Sequence, residues 1–87
     1  MSRARDVVEV VARALAQQPD VVRVTESERR GQTRIELLMP SGELGRVIGR
    51  QGRTAAALRT LAAVAGELED RKVTVDFVDE DEVDDGR

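Results

Sequence analysis

The chain has 87 residues, 40% of them hydrophobic, with no cysteine, no histidine and a net charge of −3. That length makes one domain and excludes two. The missing Cys and His exclude disulfide staples, the usual zinc ligands and the imidazole bases of most nucleophilic triads.

No long apolar stretch follows residues 1–5, and Arg13 or Gly66 breaks the longest apolar runs. Neither a signal peptide nor a membrane span is expected, and a cytoplasmic location is the default. Residues 6–17 carry Val7, Val11, Ala14 and Leu15 at helical spacing, with Ser2 or Asp6 available as the cap. Pro19 ends that helix, because the residue before a proline is pushed out of the helical region. Residues 21–28 alternate as an edge-type strand, with Val22 and Val24 against Arg23 and Thr25. Arg29-Arg30-Gly31-Gln32 is a turn, and residues 33–39 alternate again, with Ile35, Leu37 and Met39 on one face. Two such runs around a short glycine turn predict a β-hairpin.

Pro40-Ser41-Gly42 stops the second strand. Residues 41–48 then predict a short helix capped by Ser41, with Leu44, Val47 and Ile48 as its apolar face and Gly49 closing it. Residues 53–68 predict a longer helix with Leu58, Leu61, Ala62, Ala65 and Leu68 inward. Its small residues, Ala55 and Ala56 among them, suit either close packing on the sheet or the approach of a partner. Val73, Val75 and Phe77 alternate as a third strand. The acid-rich segment after Val78 has no core pattern and reads as a disordered, solvated tail over residues 79–87, leaving residues 1–78 as the domain. The order α-β-β-α-α-β gives a two-layer α+β fold, one three-stranded sheet covered on one face by three helices.

The net charge hides a segregation. From Asp76 onward seven acids stand against Arg87, so the first 75 residues hold 13 bases and 10 acids. Residues 44–66 contain Arg46, Arg50, Arg53 and Arg59 and no acid. Local field matters more to a phosphate than the sum over the chain.

The acid-free segment contains Gly45-Arg46-Val47-Ile48-Gly49-Arg50-Gln51-Gly52-Arg53. Two glycines three apart between two helices let the main chain turn tightly and let phosphates approach without a Cβ in the way. The second glycine opens a helix whose free N–H groups favour an anion. Arg50 and Arg53 add forked donors. Val47 and Ile48 serve as core, as a groove wall, or as both. Arg46 and Arg59 belong either to a solvated helix face or to the phosphate-attracting field.

The stretch Gly45-x-Val47-Ile48-Gly49-x-x-Gly52-Arg53 resembles the signature of KH domains, whose loop clamps about four nucleotides of single-stranded RNA. The element order is similar to the type II arrangement, and the resemblance spans residues 6–78. Within it, the Gln-Pro-Asp after the first helix and the Gly-Arg-Val-Ile-Gly-Arg stretch resemble the KhpA family of small stand-alone bacterial KH proteins. That resemblance implies RNA binding through Gly49, Arg50, Gln51, Gly52 and Arg53, with Arg46, Val47 and Ile48 beside them. It also implies RNA chaperone activity or post-transcriptional control, a KhpB-like KH partner or a homodimer, and a link to cell shape and cell-wall homeostasis.

Other classes fit less well. No G-x-G-x-x-G and no G-x-x-x-x-G-K-[ST] occurs, so a nucleotide-binding loop is not indicated. No pair of Asp, Glu, Lys72, Ser or Thr stands at a recognisable catalytic spacing, and no catalytic residue, metal or cofactor is expected. Phe77 is the only aromatic, which disfavours recognition by exposed aromatic platforms. The remaining alternative is a protein-interaction or dimerisation module with a vestigial G-x-x-G loop.

Overall fold

The computed structural model describes residues 2–83. Its elements are α1 (Arg3–Leu15), β1 (Arg23–Arg29), β2 (Gln32–Met39), α2 (Ser41–Ile48), α3 (Arg53–Glu67), β3 (Lys72–Asp79) and a helical turn, α4 (Glu80–Val83). Short 3-10 turns at Pro19–Val21 and Arg50–Gly52 complete them. The fold is the α+β order that the sequence predicts, consistent with a type II KH domain.

The sheet order is β1-β2-β3. β1 and β2 pair antiparallel, closing on Arg29 opposite Gln32. The two residues between them, Arg30 and Gly31, both take positive φ (54° and 81°), as tight hairpin turns require. β3 joins the other side of β2 in parallel, with Ile35 opposite Val75 and Leu37 opposite Phe77. Thr33, Ile35, Leu37 and Met39 are buried beneath the helices, while Gln32 and Arg34 on the opposite face are exposed. Ile35, Leu37 and Met39 are therefore core.

The helices correct several expectations of phase. Ser2 caps α1, accepting from the Arg5 N–H at 3.0 Å, and the helix ends at Leu15. Its buried face is Ala4, Val8 and Ala12, followed by Ala16; Val7 and Val11 flank it, and Ala14 and Leu15 are exposed. Valines at 7, 8, 10 and 11 spread the apolar arc, so the small alanines that permit close helix contact decide which face turns inward.

α3 shows the same effect. Ala55, Leu58, Ala62, Ala65 and Gly66 are buried, whereas Leu61 and Leu68 point outward at 51% and 70% exposure, beside Val64 at 51%. Alanine on most sides gives this helix a weak apolar contrast, and close approach selects the inward stripe. Gly66 marks that approach: a Cβ there would stand 2.4 Å from Val73 Cγ2 and 2.9 Å from the Arg71 carbonyl oxygen.

Ser41 is the first residue of α2 and not its cap, which is Pro40. β3 continues to Asp79, and Glu80 in α4 forms an ion pair with Arg23. Secondary structure therefore passes the boundary expected at residue 78, through residues the sequence places in a tail. The rest of that expected tail, residues 84–87, lies outside the described residues. Among the described residues, no helix is long and apolar enough to cross a membrane.

Candidate nucleic-acid interface

α2 and α3 are joined by Gly49 and the turn Arg50–Gly52. Gly49 closes α2, its N–H donating to the Gly45 carbonyl at 3.0 Å, at φ 79° and ψ 175°. That region of backbone space is essentially restricted to glycine. Close packing restricts it again, since a Cβ at Gly49 would stand 2.5 Å from Thr54 Oγ1 and 2.9 Å from Thr54 Cβ. Gln51 (φ 58°, ψ 21°) and Gly52 (φ 74°, ψ 14°) follow in left-handed conformation.

This path leaves backbone donors unused. The Gly52 N–H reaches the Gly49 carbonyl at 3.2 Å and the Arg53 N–H reaches that of Arg50. The N–H groups of Arg50 and Gln51 make no hydrogen bond among the described residues. Gly52 stands at the N-cap of α3 and offers no side chain to the first-turn N–H groups. The positive end of a 15-residue helix thus faces the loop without a side-chain cap.

The charged side chains divide into two sets. Arg50 is exposed and joins no ion pair among the described residues. Arg53 is exposed and donates to Gln51 Oε1 at 2.9 Å, so these two side chains are held together. Arg46 turns the other way, donating to Gln17 Oε1 at 2.7 Å with Glu43 Oε1 3.7 Å from its Nε. Glu43 also accepts from the Gln17 and Gln18 N–H groups, at 2.9 and 2.7 Å, and so ties the end of α1 to α2. Val47 is fully buried and belongs to the core, while Ile48 is half-buried beside the loop.

Two residues outside the predicted set matter to the geometry. Thr54 packs under Gly49 and dictates the glycine there. Arg59 donates through Nε to the Val75 carbonyl at 3.2 Å and places its Cζ over the Phe77 ring, 4.9 Å from the ring centre. Nothing in the spacing of Arg59 and Phe77 along the chain announces that contact, because it joins a helix to a strand. No group of His, Cys, Asp or Glu among the described residues is arranged to hold a metal ion.

Residues 5–77 match the family model described as "KhpA/KhpB, KH domain". The RNA-binding protein KhpA of Aquifex aeolicus is 42% identical over 79 residues, 91% of this chain and all of that relative. The RNA-binding protein KhpA of Halalkalibacterium halodurans is 41% identical, covering 86% of this chain and 99% of its own. That of Mycobacterium tuberculosis is 47% identical over 88% of this chain and 92% of its own.

Proposed function

The chain belongs to the KhpA/KhpB KH-domain family, and from that premise we propose that it binds single-stranded RNA by clamping the phosphate backbone in the loop Gly49-Arg50-Gln51-Gly52. The observation that carries this reading is the pair of unused N–H groups on Arg50 and Gln51, framed by two glycines at positive φ. Backbone donors and an exposed guanidinium suit phosphate oxygens. Arg50 and Arg53 make direct contacts, Gln51 orients Arg53, and Ile48 gives the groove an apolar wall. Arg46 contributes field from further off, because Gln17 and Glu43 hold it. Val47 supports the loop from the core.

A clamp of about four nucleotides with few cations binds weakly and loses affinity as salt rises. Fluorescence anisotropy with a labelled single-stranded oligoribonucleotide at two salt concentrations tests the reading. The expected dissociation constant is on the order of micromolar, and it rises with salt. Self-association without any RNA binding favours the interaction-module alternative.

Weak single clamps gain roughly 10²–10⁴ in avidity when two are joined. The chain therefore works as a homodimer or beside a second KH protein of the KhpB kind. The exposed α3 stripe of Leu61, Val64 and Leu68 supports a joint there better than Ala55, which is buried. Family membership supports a cytoplasmic role as RNA chaperone or post-transcriptional regulator linked to cell shape and cell-wall homeostasis. Crosslinking in cells followed by sequencing of the bound RNA identifies the transcripts concerned.

A further inference from the structure

Arg59 is six residues beyond the start of α3, about 9 Å along the helix axis from the loop. It reaches β3, the strand at the edge of the sheet. Its guanidinium is fixed in two ways at once. Nε donates to the Val75 carbonyl at 3.2 Å, and Cζ stands over the Phe77 ring, 4.9 Å from its centre. The residue is nonetheless exposed, and no hydrogen bond or ion pair among the described residues engages Nη1 or Nη2. Arginine side chains are otherwise rich in rotamers, so a fork tethered at Nε with its terminal donors unspent is prepared for a partner.

The geometry points to Arg59 as a specificity-determining residue of the RNA site, one that reads the edge of an unpaired base bearing two neighbouring acceptor atoms. The inference rests on the clamp reading above and supplies what a clamp lacks, since phosphate contacts carry no sequence information. Two parallel N–H groups match guanine through O6 and N7, or cytosine through O2 and N3. Adenine and uracil place a donor beside each acceptor on their exposed edges and satisfy only half of the fork. Phe77, the sole aromatic, lies beneath the guanidinium and restricts where it can swing, and the Val75 carbonyl holds its Nε.

The test uses the full chain and three labelled octaribonucleotides: one of A and U only, one with a single G, and one with a single C. The wild type binds the G or the C oligonucleotide about tenfold tighter than the A/U one, and the stronger arm identifies the edge that is read. Arg59→Lys keeps the charge and the reach to Val75 but has no fork, and it brings that ratio to about one. Substituting 7-deazaguanine or 3-deazacytosine, each lacking one acceptor, lowers binding by the wild-type protein itself, which tests the contact without any variant. A wild type with no preference for either base overturns the inference, as does an Arg59→Lys protein that keeps the ratio. Replacing both Arg50 and Gln51 with Asp weakens all three oligonucleotides together. A loop variant that binds like wild type thus sinks the clamp reading, and an unchanged base ratio in Arg59→Lys sinks only the Arg59 reading.

Discussion

Ser41 Oγ lies 2.8 and 2.7 Å from the two carboxylate oxygens of Asp79, so the last strand supplies the polar partner at the start of the helix that leads into the candidate clamp. Asp81 Oδ2 accepts from the Ser41 N–H at 3.1 Å, adding a second carboxylate at the same helix end. Anions there oppose the positive end of the helix dipole. Truncation after Val78 removes this arrangement together with the Arg23–Glu80 ion pair. We expect it to cost about 1 kcal/mol, the usual worth of a helix cap. For a domain of this size that lowers the melting temperature by roughly 4–8 °C. Truncation after Val83 removes two acids and one base, leaves the cap in place, and is expected to leave the melting temperature and RNA affinity essentially unchanged. Equal melting temperatures for the two truncations would refute the capping role.

Gly49→Ala is expected to be costlier than Gly52→Ala. Both positions have positive φ, but a methyl at Gly49 also drives into Thr54, whereas one at Gly52 meets nothing within 4 Å. The backbone conformation of Gly49 alone costs a non-glycine residue about 1–3 kcal/mol. Urea denaturation of both variants checks the order. Thr54→Gly in the Gly49→Ala background removes the clash and recovers part of the loss.

Replacing both Arg50 and Gln51 with Asp is expected to abolish RNA binding while the circular-dichroism spectrum stays folded. Both side chains are exposed, and Gln51 sits at φ 58°, a conformation that Asp tolerates well. Two carboxylates in the loop repel phosphates at short range, where Coulomb energies are largest. Retained affinity in a folded variant would take the loop out of the mechanism.

Val64→Asp is expected to weaken association between protomers, or with a KhpB-like partner, and to leave the fold intact, because Val64 is half in solvent on α3. Affinity for long RNAs then falls more than affinity for a tetranucleotide, as loss of avidity dictates. Light scattering on wild type and variant reads the association directly. A wild-type protein that stays monomeric at tens of micromolar and copurifies with no partner defeats the two-clamp reading.

Glu9 lies between Arg5 and Arg13 on α1, with Arg5 Nη1 at 2.6 Å and Arg13 Nε at 3.0 Å from its carboxylate. Hydrogen bonds from Arg5 and then Arg13 hold its carboxyl below the ordinary value of 4.5. A depressed folded-state pKa contributes stability above the unfolded value and loses it as pH falls through the folded one. Wild type should therefore lose more of its melting temperature than Glu9→Gln when acidified below about pH 4.5. Parallel pH profiles for the two proteins would contradict this.

The element order and the loop were legible because each is written locally. Alternation in residues 33–39 and the turn at Arg30-Gly31 specify the hairpin, and the Gly49–Gly52 pair with its apolar approach specifies the joint between α2 and α3. Helix phase was less legible: four valines in α1 and the many alanines in α3 make several faces nearly equivalent in apolarity. Distance of approach to a neighbour then chooses, and that is a property of the pair and not of either helix. The same reason hides Ser41–Asp79 and Arg59–Phe77, whose partners are far apart in the chain. The acids of residues 79–81 resemble a solvated run until the position of α2 gives them a helix end to face.

The parallel pairing of β2 with β3 carries a kinetic consequence. α2, the glycine loop and α3 together form the crossover between these two adjacent strands. Pairing β2 with β3 closes a far longer stretch of chain than the β1–β2 hairpin does, and non-local closures of this kind slow folding. A chain still being synthesised cannot hold the clamp in place until residues 72–79 have emerged and docked. The geometry of the proposed clamp is thereby tied to the arrival of β3, and any mutation that delays the docking of β3 lengthens the interval in which the loop exists without that geometry.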